Sequence, residues 1–239
     1  MLTDTGYNID DKFKQWFIGW AKDKRYVLAT GSTLERTVEQ IGNEIVDGAL
    51  LVANCMGNSV YQDGKTTVLN EFEFLQEELD FLQEKIDNSK FQTKTGQHIV
   101  ARPGSYNVSV VGRNANIEQR EEYKNFDKVE REREQIAKEF QEQFPKFDVY
   151  IGGDISLDIC LQGANKGQIF DLLVHQMLDD RLFFFGDKMG TWGIDRPLKE
   201  RIQQTIQGKA YNITNGYQET KNILMYHPEP DDDDKTDSP

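Results

Sequence analysis

The stretch RLFFFGDKMGTWGID, residues 181–195, decides how the second half of the chain folds. Leu182–Phe185 are strand-forming residues that lead into Gly186 and Asp187, and a second aspartate, Asp195, follows. A buried strand that ends in carboxylates usually holds a cation there, because neighbouring carboxylates repel one another unless something neutralises them. Aspartate also favours turns and helix caps, which is the simpler interpretation. The stretch therefore predicts a buried strand followed by a candidate cation site.

Composition limits the kinds of protein this can be. A chain of 239 residues can form one large domain or two modest ones. The net charge of −13 argues against binding to duplex DNA or to an anionic membrane, and no run of ~18 apolar residues could span a bilayer. Cys55 and Cys160 form no metal-binding motif and are predicted to be buried free thiols. We expect a soluble, cytoplasmic protein that binds a small molecule, with a disordered acidic tail over residues 227–239.

The pattern of apolar residues divides the rest of the chain into three segments. Residues 1–67 read as a helix capped by Asp10, then strand, helix, strand and a hairpin turning at Asp63 and Gly64, which favours a parallel sheet. Residues 68–163 contain helices and strand pairs typical of an α+β domain, and residues 164–226 return to alternating helix and strand. We predict an α/β core of residues 1–67 and 164–226, interrupted by an inserted α+β cap of residues 68–163.

Two helices of the predicted cap carry specific expectations about burial. In the first, Leu75, Leu79, Leu82 and Ile86 form one apolar stripe. The second is a single long charged helix over residues 117–144, with Val129, Ile136 and Phe140 directed inward. Arg131 and Arg133 in that helix are expected to form only surface salt bridges.

Several polar residues could bind a phosphorylated ligand, although each has a simpler explanation. Thr30 and Ser32 lie between a strand and a helix, where hydroxyls and the helix N-terminus favour phosphate, but Ser32 or Thr33 could merely cap the helix. Lys166 precedes a helix, where lysine is usually a solvated surface residue.

The cap offers a second set of candidate ligands. Arg102, Arg113 and Arg120 could converge on one face, and arginine matches phosphate oxygens in a bidentate manner. Ser156 and Asp158 alternate on one strand and so point to the same side, where they would suit sugar hydroxyls. The alternative is a solvent-facing sheet with salt bridges.

Seven blocks, taken together, resemble a known family. They are GSTLERTVEQIG, SVYQDGK, RPGSYNVSVVGR, EQREEY…DK, YIGGDISLDI, GANKGQIF and FFFGDKMGTWGID, in this order between about Leu2 and Leu224. They are similar to blocks of the eukaryotic phosphomannomutases, which belong to the haloacid-dehalogenase-like superfamily. The resemblance implies a doubly wound α/β core with an inserted cap, and interconversion of hexose 6-phosphate and hexose 1-phosphate, with mannose preferred, in GDP-mannose biosynthesis.

The resemblance also implies a role for each candidate residue. Lys166 would steady a phosphorylated nucleophile, Thr30 or Ser32 would supply the motif hydroxyl, and Asp187 would bind Mg²⁺ with Asp195 in its supporting loop. The cofactors implied are Mg²⁺ and a hexose bisphosphate activator, and the family suggests a homodimer formed through the cap. The residues that would grip the sugar phosphate all lie in the cap, namely Arg102, Asn107, Arg113, Arg120, Ser156 and Asp158.

This sequence differs from the family in the segment that carries the family's catalytic nucleophile. The family's nucleophile and its acid/base partner are aspartates of a DxDGTLT segment ending the first, central strand, and here only Leu2 and Thr3 match its end. Gly6 stands in place of a substrate-binding arginine, and Ile194 in place of the asparagine of a GGND loop. We expect the strand and both aspartates to lie before residue 1, because Phe183–Phe185 predict a neighbouring central strand. Two alternatives are a non-catalytic sugar-phosphate-binding relic and a phosphatase acting on sugar or nucleotide phosphates.

Overall fold

The computed structural model describes residues 1–3, 7–174, 181–205 and 208–226. Gly6 and the acidic tail, on which two predictions rest, lie outside the described residues. Within the described ranges no helix has the length and apolar character needed to cross a membrane.

The first part of the core forms a mixed sheet flanked by helices. The predicted N-cap of the first helix is confirmed, since Asp10 Oδ1 accepts a hydrogen bond from Phe13 N at 2.9 Å. The hairpin turn at Asp63 and Gly64 is confirmed too, with the positive φ angles of 51° and 74° that two-residue hairpin turns require. The elements are α1 (Asp11–Trp20), β1 (Val27–Ala29), α2 (Leu34–Ile41), α3 (Asn43–Asp47), β2 (Leu51–Asn54), β3 (Ser59–Gln62) and β4 (Lys65–Val68). β1 and β2 are parallel, as predicted, and β3 and β4 continue the sheet antiparallel.

The middle of the chain forms a separate antiparallel sheet in the order β5-β6-β8-β7. An aromatic core that includes Tyr123, Phe140 and Phe147 packs against it. The elements are α4 (Gln76–Asp87), β5 (Ile99–Arg102), β6 (Ser105–Val108), α5 (Ile117–Glu130), α6 (Glu132–Gln143), β7 (Phe147–Gly152) and β8 (Ser156–Leu161). This sheet and its helices are called the cap below. The domain boundaries at residues 67/68 and 163/164 stay predictions.

The single long helix predicted over residues 117–144 is wrong. Arg131 adopts a left-handed conformation (φ 54°, ψ 35°) that separates α5 from α6. The side chain of Asp127 stabilises this break, because its Oδ1 accepts a hydrogen bond from Arg133 N at 2.8 Å at the start of α6. Ile136 and Phe140 are buried as predicted, whereas Val129 is 79% exposed. Leu75 is exposed as well, because it precedes α4 as its N-cap residue.

The second part of the core contains another parallel pair of strands. Its elements are α7 (Gln168–Val174), β9 (Leu182–Gly186), α8 (Arg196–Gln203), β10 (Gly208–Asn212) and α9 (Gly216–Tyr226). The strand predicted at Leu182–Phe185 is confirmed, and it pairs with β10 in parallel register. The predicted burial is only partial, because Phe184 is buried whereas Phe183 is 50% exposed.

β1 and β9 both border one cavity of about 1550 Å³. In the described part of the chain β1 is hydrogen-bonded to β2 alone, and β9 to β10 alone. The amino group of Met1 donates a hydrogen bond to Phe185 O at 3.0 Å beside this cavity. Each of these strands is therefore the end strand of its sheet and presents a backbone edge with no strand neighbour among the described residues. We call this cavity, with the cap residues that border it, the cleft.

Asn58, which is fully buried, joins both connections between the core and the cap. Its Nδ2 donates to Ala164 O at 2.9 Å, on the connection that returns from the cap. Its Oδ1 accepts from Asn70 Nδ2 at 2.8 Å, on the connection that enters it. Gln168 at the start of α7 completes the arrangement, because its Oε1 also accepts from Asn70 Nδ2, at 3.1 Å. These three amides hold the two connections side by side.

Candidate active site

The structure brings all the candidate residues to one place. Every one of them borders the cleft, although they come from the turn after β1, the cap sheet and its helix α5, the loop after β6, the loop before α7 and the loop after β9. From the core these are Thr30, Ser32, Lys166, Asp187 and Asp195, and from the cap Arg102, Asn107, Arg113, Arg120, Ser156 and Asp158. Their chemical roles stay predictions.

On the core side, Lys166 and Asp195 form a buried ion pair. Lys166 Nζ donates to Asp195 Oδ1 at 2.5 Å, and the two side chains are 7% and 5% exposed. Asp195 Oδ2 accepts the backbone N–H groups of Asp187 and Lys188, both at 3.1 Å. Burial alone would raise the pKa of the Asp195 carboxyl, but the charge of Lys166 and these hydrogen bonds hold it below its usual value. The interpretation of Lys166 as a solvated surface residue is therefore wrong.

Asp187 lies beside this pair, but the cost of burying its carboxylate is not offset to the same extent as that of Asp195. Burial raises the pKa of its carboxyl, and the negative charge of Asp195 adds to that rise. Lys188 Nζ lies 3.6 Å from Asp187 Oδ2 and offsets part of the repulsion. A positive charge bound near Asp187 would stabilise its ionised form.

The described residues do not by themselves make a magnesium site. No group of three or more His, Cys, Asp or Glu side chains among them is arranged to hold a metal ion. Both oxygens of Asp195 already accept hydrogen bonds, so its geometry fits orienting the loop and its ligation of a metal stays a prediction. Asp187 alone offers too few oxygen ligands for Mg²⁺.

Thr30 and Ser32 form a tight turn at the end of β1. Thr30 Oγ1 accepts a hydrogen bond from Ser32 N at 3.1 Å, and Thr30 O accepts one from Met56 N at 2.9 Å. The residue that caps α2 is Thr33, whose Oγ1 accepts from Arg36 N at 3.4 Å. The capping interpretation is therefore correct for Thr33 and wrong for Ser32.

On the cap side, Asp158 lies at the centre of a hydrogen-bonded network. Its Oδ1 accepts from Asn107 Nδ2 at 2.8 Å and from Arg102 Nη1 at 3.3 Å. Asn107 Oδ1 in turn accepts from Arg113 Nη1 at 2.9 Å. Gly152 leaves room for the carboxylate, since a Cβ there would lie 1.9 Å from Asp158 Oδ2. Because Asp158 is buried, the alternative of a solvent-facing sheet with salt bridges is wrong at this position.

Arg113 and Arg120 place further positive charge beside this network. Among the described residues, no carboxylate lies within salt-bridge distance of either guanidinium, whose recorded partners are Asn107 Oδ1 and Ala115 O. Burial lowers the pKa of the Arg113 guanidinium, and the charges of Arg102 and Arg120 lower it further. Closely spaced, incompletely neutralised guanidinium groups favour the binding of an anion.

The cap contacts the core at the edge of the cleft. Arg102 Nη1 donates to Gly31 O at 2.8 Å, immediately after β1. Ile151 N in β7 donates to Trp192 O at 2.6 Å, in the loop that joins Asp187 to Asp195. The cleft is therefore bordered by both parts of the chain at once.

Sequence reasoning missed two residues that shape this site. Arg133 is not a surface residue, since its side chain is only 11% exposed and pairs with Asp127 at 2.8 Å. It also donates to Gly153 O and Ser156 O, both at 3.4 Å, and so braces the turn before β8. Asn58 was missed because nothing in its local sequence distinguishes a buried amide from a turn residue.

Comparison with known proteins assigns the class of this fold. The chain is similar to the sucrose-phosphatase of Synechocystis, solved with sucrose and phosphate, at a TM-score of 0.54 and 16% identity over 95% of this chain and 87% of that one. It is also similar to an N-terminally truncated, IMP-bound IMP-nucleotidase of Plasmodium falciparum, at a TM-score of 0.58 and 15% identity over 94% of this chain and 64% of that one. The protein has the capped haloacid-dehalogenase-like fold that the sequence predicts.

The sequence comparisons identify the family. The model of the eukaryotic phosphomannomutase family matches residues 16–226. The phosphomannomutase of Solanum lycopersicum is 32% identical over 178 residues, which is 71% of this chain and 69% of that protein. The chain belongs to the eukaryotic phosphomannomutase family.

Proposed function

We propose that this protein takes part in the interconversion of hexose 6-phosphate and hexose 1-phosphate, with mannose as the preferred hexose. Family membership supports this at the level of a phosphotransferase or isomerase. The observation that carries the finer proposal is the cleft, in which a buried Lys166–Asp195 pair on the core and a group of cap arginines border the same cavity.

In this proposal the cap binds the part of the substrate that does not react. Arg113 and Arg120 bind one phosphate group, because their guanidinium groups lack a carboxylate partner in the described part of the chain. Asp158 and Asn107, which are buried and hydrogen-bonded to each other, face the sugar hydroxyls. Ser156, whose hydroxyl donates to Gly152 O at 3.3 Å, supports the same strand.

The core holds the phosphoryl group that is transferred. Lys166 supplies positive charge, and the hydroxyls of Thr30 and Ser32 lie at the end of β1, where a phosphoryl oxygen could accept hydrogen bonds. Contacts such as Arg102 to Gly31 O keep the cap against the core and limit the access of water. Exclusion of water matters because hydrolysis of a phosphorylated enzyme competes with transfer to the sugar.

The nucleophile is proposed to lie on a strand between β1 and β9. The described carboxylates that border the cleft are Asp23, Asp154, Asp158, Asp187 and Asp195, and none of them follows a strand in that position. An added strand would pair with the edges of β1 and β9 that have no strand neighbour among the described residues, and would place its carboxyl end beside Lys166. An aspartate there would form the aspartyl-phosphate, and its position would also complete the oxygen ligands available around Asp187.

The test is to supply that strand. A segment of consecutive apolar, mainly β-branched residues ending in Asp-x-Asp-Gly-Thr, joined ahead of Leu2, should give turnover of mannose 6-phosphate to mannose 1-phosphate with Mg²⁺ and a hexose bisphosphate activator. The chain of 239 residues without the segment should give none. The matched control replaces the first aspartate of the segment with asparagine. Turnover in the unextended chain that survives Asp187→Asn would show that another residue does the chemistry.

The remaining features of the proposal are a cytoplasmic location, Mg²⁺ as cofactor and a homodimer formed through the cap. Two large apolar side chains of α5, Ile117 and Val129, are exposed, which supports an interface on the cap. Gel filtration of the wild-type protein and of a Val129→Glu variant would test the dimer.

A further inference from the structure

The cleft contains a fourth arginine that comes from the core. Arg36 lies in the first turn of α2 and borders the same cavity as Arg102, Arg113 and Arg120. Its charge acts on Arg113, since Arg36 is one of the groups that lower the pKa of that guanidinium, after burial, Arg102 and Arg120. The positive charge in the cleft therefore belongs to both the core and the cap.

The charges around these arginines do not balance. Among the described residues Asp158 pairs with Arg102, and Glu39 pairs with Arg36 at 2.9 Å. No carboxylate within those residues pairs with Arg113 or Arg120. The chain as a whole carries a net charge of −13, so a local excess of guanidinium groups is not a consequence of composition. A doubly charged anion would neutralise it.

The present partner of Arg36 is easily exchanged. The side chains of Arg36 and Glu39 are 45% and 64% exposed, and they lie three residues apart on one helix. Exposed ion pairs of this kind contribute little to stability. A phosphate dianion held in a partly buried site offers a guanidinium a stronger, bidentate contact. Arg36 can therefore exchange its ion pair with Glu39 for a contact with a bound anion without destabilising the fold.

We propose that Arg36 is a substrate-binding residue on the core, and that the phosphate group bound by Arg113 and Arg120 of the cap is shared with it. This inference rests on the proposed function of the cap arginines. A phosphate shared in this way joins the two parts of the chain, because α2 belongs to the core and the other arginines to the cap. Binding of a phosphomonoester dianion then draws the cap onto the core, whereas an uncharged sugar does not.

Calorimetric titration of the full chain with mannose 6-phosphate tests the inference. Arg36→Ala should weaken binding about tenfold. Arg36→Lys should weaken it less, because lysine keeps the positive charge but lacks the planar guanidinium that makes bidentate contacts. The matched control is Arg201→Ala, which removes an exposed arginine of the core that pairs with Asp171 and does not border the cleft. It should bind as the wild type does. Mannose without phosphate should not distinguish Arg36→Ala from the wild type.

Hydrogen exchange is a second measurement, and a purely structural role of Arg36 would not change its result. The Ile151 amide donates across the boundary to Trp192 O, so its protection reports how firmly the cap meets the core. Saturating mannose 6-phosphate should raise that protection in the wild type and much less in Arg36→Ala. This inference alone would be overturned if Arg36→Ala and Arg201→Ala showed equal affinity for mannose 6-phosphate and equal protection of the Ile151 amide, while Arg113→Ala still bound more weakly than the wild type. Binding that is insensitive to Arg113→Ala and Arg120→Ala, or no binding by the wild type, would overturn the proposed function as well.

Discussion

Lys166 Nζ lies 2.5 Å from Asp195 Oδ1, and both side chains are almost fully buried at the core side of the cleft. Asp195 also fixes the loop after β9 through the backbone N–H groups of Asp187 and Lys188. One ion pair therefore holds together the loop before α7 and the loop after β9, which carry the charged groups of the core.

Removing one member of this pair should destabilise the protein strongly. Lys166→Met leaves the carboxylate of Asp195 buried without its partner, which typically costs about 3–5 kcal/mol in the free energy of unfolding. Urea denaturation at pH 7 measures it. The control is Lys138→Met, whose pair with Glu142 spans 3.9 Å between exposed side chains and should cost less than about 1 kcal/mol. Equal losses in the two variants would contradict the burial described here.

The two cap arginines without carboxylate partners should matter for ligand affinity more than for stability. Arg113→Ala and Arg120→Ala should each weaken binding of mannose 1-phosphate by about 1.5–3 kcal/mol, the range expected for a charge-assisted contact. Calorimetric titration measures the affinity, with Arg201→Ala as the matched loss of one positive charge. Unchanged affinity in both cap variants would show that Arg113 and Arg120 have a structural role and do not bind the phosphate.

Arg133 and Arg131 are separated by one residue, but the same substitution should destabilise the protein much more at Arg133 than at Arg131. Arg133→Met breaks the buried pair with Asp127 and removes the donors to Gly153 O and Ser156 O, so we expect a loss of about 3–5 kcal/mol in the free energy of unfolding. Arg131 is 70% exposed and pairs with Glu134, so Arg131→Met should cost less than about 1 kcal/mol. Urea denaturation measures the free energy of unfolding of both variants. Equal m-values would show that the two losses can be compared directly.

The buried thiols should make stability fall in alkaline solution. Burial raises the pKa of the Cys55 thiol from 9.0 to about 11, and burial also raises the pKa of the Cys160 thiol well above its usual value. Between pH 9 and 11 the unfolded chain releases thiol protons that the folded chain retains. The free energy of unfolding should therefore fall by up to about 1.4 kcal/mol per pH unit for each thiol as the pH rises.

Urea denaturation of the wild type and of Cys55→Ala between pH 8 and 9.8 measures this slope, and the difference between the two slopes isolates Cys55, because the tyrosines contribute equally to both. Cys55→Ala should show a shallower slope, whatever its stability at pH 8. An identical slope in the variant would mean that Cys55 ionises as readily in the folded protein as in the unfolded chain.

The regular elements were predictable because their signals are local. A continuous run of apolar residues that ends at Gly186 defines β9, and a capping aspartate defines the start of α1. The break at Arg131 gave no such signal, since Val129, Ile136 and Phe140 could all be placed on one continuous helix. Asp127 creates the break through a contact with Arg133, and contacts between side chains six residues apart leave no periodic pattern.

The candidate site was predictable in its members but not in its contacts. The family resemblance named residues from both parts of the core and from the cap, and all of them border one cleft. It could not show that Asp158 is the centre of a network, because that depends on the register of β6 against β8, which pairs Asn107 with Asp158. The burial of Arg133 was also hidden, since a charged run looks the same in sequence whether one of its arginines is exposed or covered.

The hydrogen bond from Asn58 to Ala164 has a consequence for the order in which the protein folds. It joins residues 106 positions apart, and the whole cap lies between them. A contact across so long a loop is slow to form from the unfolded chain, unless the intervening residues have already become compact. The antiparallel cap sheet can form from contacts within its own segment, whereas the core needs β2 and α7 from either side of it. We therefore expect the cap to nucleate folding, and the core, with its half of the cleft, to assemble last.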